Sequence, residues 1–166
     1  DVLLLEKTRL TEGATWHAAG LVGQFRSQQN LMALMRDSVT LFDGLAADTG
    51  QEIGWRKVGS MRVAASAARW QELLKSHSAA RALYPLMEVG DLVGAAFIPE
   101  DGHVDPYSLT QAYAKGLRKY GGRVVEGVMA TGLRLKDGRI THVETDHGAI
   151  ACDWVVNAAG IWARQV

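Results

Sequence analysis

The 166 residues suffice for one domain with a proper core, and 48% apolar and 22% charged residues are ordinary for a soluble globular chain. Eighteen basic residues balance eighteen acidic ones, so the basic excess that a nucleic-acid or anionic-membrane partner requires is absent. The single cysteine, Cys152, excludes an internal disulfide framework, fits a reducing compartment and reads as a packing residue. No apolar run reaches the ~20 residues that cross a bilayer, and no basic stretch followed by an apolar run marks a signal peptide.

In chain order, Val2-Leu3-Leu4-Leu5 is an unbroken apolar run ending at Glu6, the pattern of a strand buried on both faces of a parallel sheet. Asn30 is placed to cap a helix carrying Leu31, Leu34, Met35, Leu41, Phe42 and Leu45, which stops at Thr49-Gly50. A short strand is expected around Met61 and Val63. Ser66 caps a second helix bearing Trp70, Leu73 and Leu74, ended by Tyr84-Pro85. Asp105 caps a third, with Pro106 at its first position and Gly121-Gly122 closing it. Residues 123–127 read as a strand. A three-stranded meander follows over Leu133/Leu135, Ile140/Val143 and Ile150/Cys152, turning at Asp137-Gly138 and Asp146-His147-Gly148. Residues 154–157 read as another buried strand, then Ala158-Ala159-Gly160 turns into a helix. Strand, helix, strand, meander, strand is an α/β nucleotide-binding layout, with residues 51–103 an excursion into a second region.

Glu6 carries the first chemical signal. An acidic side chain ending the second strand of a dinucleotide-binding βαβ unit accepts hydrogen bonds from ribose hydroxyls. The Gly-rich turn that cradles the pyrophosphate belongs about 20 residues upstream, so the chain reads as beginning inside a larger domain. After Glu6 comes Thr11-Glu12-Gly13-Ala14-Thr15-Trp16-His17-Ala18-Ala19-Gly20-Leu21, a loop of small residues around a Trp-His pair. Small side chains let backbone amides approach a bulky anionic ligand.

The stretch from Leu5-Glu6-Lys7 to Gly20 resembles the flavin-binding loop of the dimethylglycine dehydrogenase, sarcosine dehydrogenase and dimethylglycine oxidase family. Val58-Gly59-Ser60-Met61-Arg62-Val63, residues 99–106 (Pro-Glu-Asp-Gly-His-Val-Asp-Pro) and residues 155–163 (Val-Val-Asn-Ala-Ala-Gly-Ile-Trp-Ala) resemble it too, in the same order. The resemblance implies an FAD-binding, Rossmann-like domain over residues 1–50 and 104–166, with an antiparallel meander, and part of an α+β substrate-side region over 51–103. It implies that Glu6, Lys7, Gly13, Ala14, Thr15, Trp16, His17, Ala18, Ala19, Gly20 and Leu21 line the cofactor. His17 would bond covalently to the 8α-methyl carbon of the flavin, as a neutral imidazole nitrogen is able to do. Trp16 reads as a packing residue. Ala159 and Gly160 would let the chain pass close to the cofactor, with Trp162 nearby, and Ala130 stands where relatives carry a valine whose main chain meets the adenine.

The implied activity is FAD-dependent oxidation of an N-methylated glycine derivative, a small amine. The flavin takes a hydride equivalent from an N-methyl carbon, and the resulting iminium hydrolyses or passes its one-carbon unit to folate in the full-length parent. The acceptor, oxygen or an electron-transfer protein, stays open. The implied compartment is the bacterial cytoplasm or the mitochondrial matrix. The resemblance extends to the pyruvate dehydrogenase phosphatase regulatory subunit, so a non-catalytic flavoprotein-like regulator is the alternative. Asp101, His103 and Asp105 share one loop but read as a turn and a helix cap rather than a metal site. His77, His142 and His147 read as solvated, and residues 75–84 as shorter than in relatives. Most of the substrate cavity is expected beyond Val166. Taken alone, these residues are expected not to bind FAD and to expose an apolar strand edge at residues 2–5.

Overall fold

The computed structural model describes residues 1–26, 28–73 and 90–166. They form two compact units, Asp1–His17 with Thr110–Val166, and Ala18–Leu109. The class is mixed α/β.

In the first unit, β1 (Leu3–Glu6) pairs in parallel with β7 (Arg123–Glu126), in the register Leu3↔Arg123 to Glu6↔Glu126. The strand expected from the apolar run therefore forms. It is not buried on both faces: Leu3 and Leu5 are half-buried and Leu4 is exposed. The reason is that its sheet has two strands, so β1 has a neighbour on one side only among the described residues. Strands β8 (Ala130–Lys136), β9 (Arg139–Thr145) and β10 (Gly148–Ala151) form the antiparallel meander. Its first turn has positive φ at both Asp137 (52°) and Gly138 (75°), the primed geometry that Asp-Gly favours. Helix α3 (Pro106–Lys119), whose residues from Thr110 onward belong to this unit, buries Ala112, Ala114 and Gly116, small residues that allow close packing. Residues 154–157 form no strand. Trp154 and Val156 are each 90% exposed, because a β-prone run becomes a strand only against a partner edge, and none pairs with it among the described residues.

In the second unit, β2 (Leu21–Val22) and β3 (Arg56–Lys57) flank β6 (Gly102–His103) antiparallel, and β4 (Ser60–Ala64) pairs with β5 (Gly94–Ile98). Helix α1 (Gln29–Thr49) buries Val39, Phe42 and Leu45 on one face. Its cap is Gln28, without a side-chain bond, rather than Asn30; the Asn30 carboxamide oxygen instead accepts the Leu31 amide. Leu31, Leu34 and Leu41, though at or beside the same helical face, stay exposed. The Gly50 N–H donates to the Ala46 carbonyl where the helix ends. Phe42 meets Trp55 edge-on at 5.7 Å, and the Asp43 carboxylate accepts from the Trp55 indole and the Lys57 ammonium. Helix α2 (Ala67–Leu73) starts as expected at Ser66, whose hydroxyl accepts the Arg69 amide. Its expected continuation through Leu74 to Tyr84-Pro85, with His77 and the short segment 75–84, lies outside the described residues.

Asp105 caps α3 as expected, accepting the Ser108 amide at 3.0 Å. Hydrogen bonds from the Ser108 side chain and amide hold its carboxyl below the ordinary carboxylate range. A depressed folded value means the stabilisation is present above the unfolded pKa of about 3.9 and is lost as pH falls through the folded value. Asp105→Ala should cost about 1 kcal/mol at pH 7. Denaturant unfolding of both forms across a pH series should show this gap closing as pH drops below the ordinary carboxylate range.

Candidate functional site

The candidate loop leaves β1 at Glu6, whose half-buried side chain turns back on its own chain. Its Oε1 accepts the Thr8 amide at 2.9 Å and the Thr8 hydroxyl at 3.3 Å, while Oε2 has no hydrogen bond among the described residues. One carboxylate oxygen therefore remains to accept from a ligand hydroxyl. The strand end is closed by the Val128 N–H donating to the Glu6 carbonyl and the Gly127 N–H donating to Thr8. Lys7 is exposed.

Beyond it the loop is open. A Cβ built on Gly13 meets nothing within 4 Å, and Ala14 is exposed. Thr15–His17 forms one 3-10 turn, in which the His17 amide donates to Ala14. Trp16 is 65% exposed, and its ring lies 3.9 Å from the His17 ring, tilted by 37°. The exposed His17 imidazole has no hydrogen-bond partner among the described residues, so neither ring nitrogen is committed. An acceptor oxygen at a strand end, an uncrowded glycine and an uncommitted imidazole are a donor set that fits FAD: Glu6 would hold the ribose and His17 the ring.

In the second unit, Ala18 and Ala19 are exposed and Leu21 is 82% exposed. Gly20 has φ 72°, and a Cβ there would sit 2.1 Å from the Val104 carbonyl oxygen. Val104 N–H in turn donates to the Gly20 carbonyl at 2.9 Å. The absent side chain at position 20 thus serves an approach within the protein backbone itself.

The remaining expected positions lie along the first unit. Half-buried Ala130 opens β8, beside Met129, which exchanges hydrogen bonds with Asp146. The His147 ring, and after it the Met129 amide, holds the Asp146 carboxyl below its ordinary range. Asn157 staples the small-residue turn: its Nδ2 donates to Ala163 and its Oδ1 accepts the Ala159 amide. Gly160–Gln165 is a 3-10 helix, with the Trp162 amide donating to Ala159. The structure brings Glu6 and Thr8 together with Gly127 and Val128; no hydrogen bond among the described residues joins residues 159–162 to the loop 7–17.

Two carboxylates were not anticipated as structural anchors. Glu126 reaches back to the loop and accepts the Leu10 amide at 2.6 Å. Asp101 has no exposed surface. It accepts the Gln24 amide at 2.8 Å and the Ser60 hydroxyl, while its own carbonyl accepts the Gly59 N–H. His103 sits on β6 between Leu21 and Arg56. No group of three or more metal-ligating side chains gathers among the described residues. No helix among them is long and apolar enough to cross a membrane.

The family model for FAD dependent oxidoreductases matches residues 1–166. The chain belongs to this family. It is similar to mouse mitochondrial dimethylglycine dehydrogenase, 37% identical over 181 residues that cover 100% of the chain and 21% of that protein. Mouse mitochondrial sarcosine dehydrogenase is 35% identical over 187 residues, covering 99% and 20%. The mouse mitochondrial pyruvate dehydrogenase phosphatase regulatory subunit is 30% identical over 181 residues, covering 100% and 21%. The chain thus spans about a fifth of the length of these relatives. Among solved structures, glycine oxidase from Bacillus cereus ATCC 14579 superposes with a TM-score of 0.76 at 27% identity, covering 98% of this chain and 51% of that one.

Asp101→Ala should leave the Gln24 amide and the Ser60 hydroxyl without their buried acceptor and lower unfolding free energy by about 2–3 kcal/mol. Asp101→Asn, which keeps one acceptor oxygen, should lose less. Urea denaturation of the two variants beside the parent checks the order.

Proposed function

We propose that the protein carrying this chain oxidises an N-methylated glycine derivative of the dimethylglycine or sarcosine type, using FAD joined covalently to His17. The observation that carries the reading is the uncommitted, exposed His17 imidazole on the loop that follows Glu6. A histidine retained for packing or for a structural hydrogen bond has partners; among the described residues this ring meets only that of Trp16. The names of the two dehydrogenase relatives supply the substrate class.

In this reading the division of labour follows the residues. Residues 1–50 and 104–166 form the FAD-binding domain and 51–103 belong to the substrate side. The free oxygen of Glu6 accepts from the ribose, and the open backbone around Lys7, Gly13, Ala14 and Thr15 lets the cofactor lie against the loop. Trp16 tilts against the imidazole and limits its rotation. Ala18, Ala19, Gly20 and Leu21 are also assigned to cofactor binding, as are Ala130, Ala159, Gly160 and Trp162. Bound there, FAD accepts the hydride equivalent from the N-methyl carbon. Folate is proposed for the full-length parent as acceptor of the one-carbon unit. The compartment is the bacterial cytoplasm or, as in the dehydrogenase relatives, the mitochondrion.

Acid precipitation of the full-length protein should leave yellow colour in the pellet; complete release of flavin into the supernatant would remove the covalent assignment. Glu6→Ala should weaken FAD capture by about 1.5–3 kcal/mol, the loss of a charge-assisted hydrogen bond. Flavin titration in a His17→Ala background, where capture is reversible, measures it. The regulatory-subunit relative favours a second reading, a flavoprotein that does not turn over amines. Anaerobic bleaching of the flavin by dimethylglycine or sarcosine selects the enzyme, and an unresponsive spectrum selects the regulator.

A further inference from the structure

We propose that Glu126 is a positioning residue of the flavin loop, acting through the Leu10 amide rather than on the cofactor. The proposal rests on the flavin reading above. Glu6 and Glu126 are register partners at the ends of two parallel strands, so their side chains leave the sheet at the same level. Each takes a main-chain amide of the departing chain: Glu6 takes Thr8 and Glu126 takes Leu10, at 2.6 Å across 116 residues of sequence. The segment after β1 is thereby strapped across both strand ends before the loop opens toward His17.

What the strap holds is strained. Thr11, the next residue, has φ 80°. A β-branched residue in the left-handed region is a genuine outlier and persists only where its surroundings impose it. The impositions are visible on either side. Glu126 fixes the Leu10 amide immediately before it, and the Glu12 N–H donates to the Arg9 carbonyl at 3.2 Å immediately after. The Arg9–Glu12 ion pair at 3.5 Å is exposed and adds little. Glu126 is itself exposed, and the bond to Leu10 is its side chain's one hydrogen bond or ion pair among the described residues, so that side chain does no packing work for the core. Its consequence falls on the loop. Holding Thr11 in an unfavoured conformation sets the course of residues 12–17 in advance, so the cofactor meets a formed loop instead of ordering one.

The test uses full-length apoprotein from riboflavin-starved cells, following FAD uptake by the quenching of flavin fluorescence, with thermal midpoints in parallel. Glu126→Ala should slow uptake by about tenfold or more, as expected for loss of one charge-assisted hydrogen bond, with little change in melting temperature. Glu126→Gln, whose amide oxygen still accepts from Leu10, should recover most of the rate. In a Thr11→Gly background, where the left-handed conformation needs no enforcement, Glu126→Ala should slow uptake much less. Uptake by Glu126→Ala at the parent rate would overturn the proposal. So would a Gln variant as slow as Ala, or an equal defect with Gly at position 11. A parent protein that takes up no FAD at all removes the flavin reading itself and this proposal with it, before any variant is compared.

Discussion

The parallel pairing of β1 with β7 decides where the candidate loop starts and what can hold it. Pairing Leu3 to Glu6 with Arg123 to Glu126 brings two chain segments far apart in sequence to the same sheet end. Ligands of open α/β folds bind beyond the carboxyl ends of parallel strands, because there the chain must leave the sheet and its backbone groups are unpaired. Here those groups are met in order: Val128 donates to Glu6, Gly127 donates to Thr8, and the two glutamates take the amides of Thr8 and Leu10. Slipping the register by one residue would put the two glutamates on opposite faces of the sheet and release the Leu10 amide from Glu126.

The same economy governs the second unit. The backbone of residues 20–24 is held by Val104, by β6 and by the buried carboxylate of Asp101. A carboxylate without exposed surface is costly to desolvate and is kept only where its oxygens are satisfied. Asp101 meets that condition by joining the start of β4, through Ser60, to the segment after β2, through Gln24. Short strands such as Leu21–Val22 and Gly102–His103 supply few ladder bonds of their own, so a side-chain acceptor at their junction decides whether they stay paired.

Local signals in the sequence were good guides to local structure. Ser66, Asp105 and Asp137-Gly138 sit where their chemistry places them, because caps and turns are decided within four residues. Apolar patterning was a poorer guide to burial. It marked α1 but not which of its leucines face the core, and it made residues 154–157 a buried strand although a strand exists only through a partner that local sequence does not name. Glu126 and Asp101 were illegible for the same reason. Each acts on an amide distant in sequence, 116 and 77 residues away, and no pattern around either glutamate or aspartate encodes that distance.

Family membership constrains the cofactor more tightly than the chemistry. One family holds amine dehydrogenases and, at 30% identity across the whole chain, a regulatory subunit of a phosphatase, so likeness over these residues does not by itself separate turnover from regulation. The separation has to come from groups that a regulator has no reason to keep. Backbone straps such as Glu126–Leu10 and Asp101–Gln24 stabilise the loops in either case. Glu6 with a free carboxylate oxygen serves any protein that holds the dinucleotide. The exposed His17 imidazole is different, because it has no hydrogen-bond partner among the described residues and meets the Trp16 ring alone there. Its physical justification lies in what it can bond to. Under the covalent attachment proposed above, this ring would hold the flavin against loss between turnovers. Within the proposed reading, His17 is thus the residue of this chain that bears on retention of the flavin, and its weight adds to the likeness of the chain as a whole.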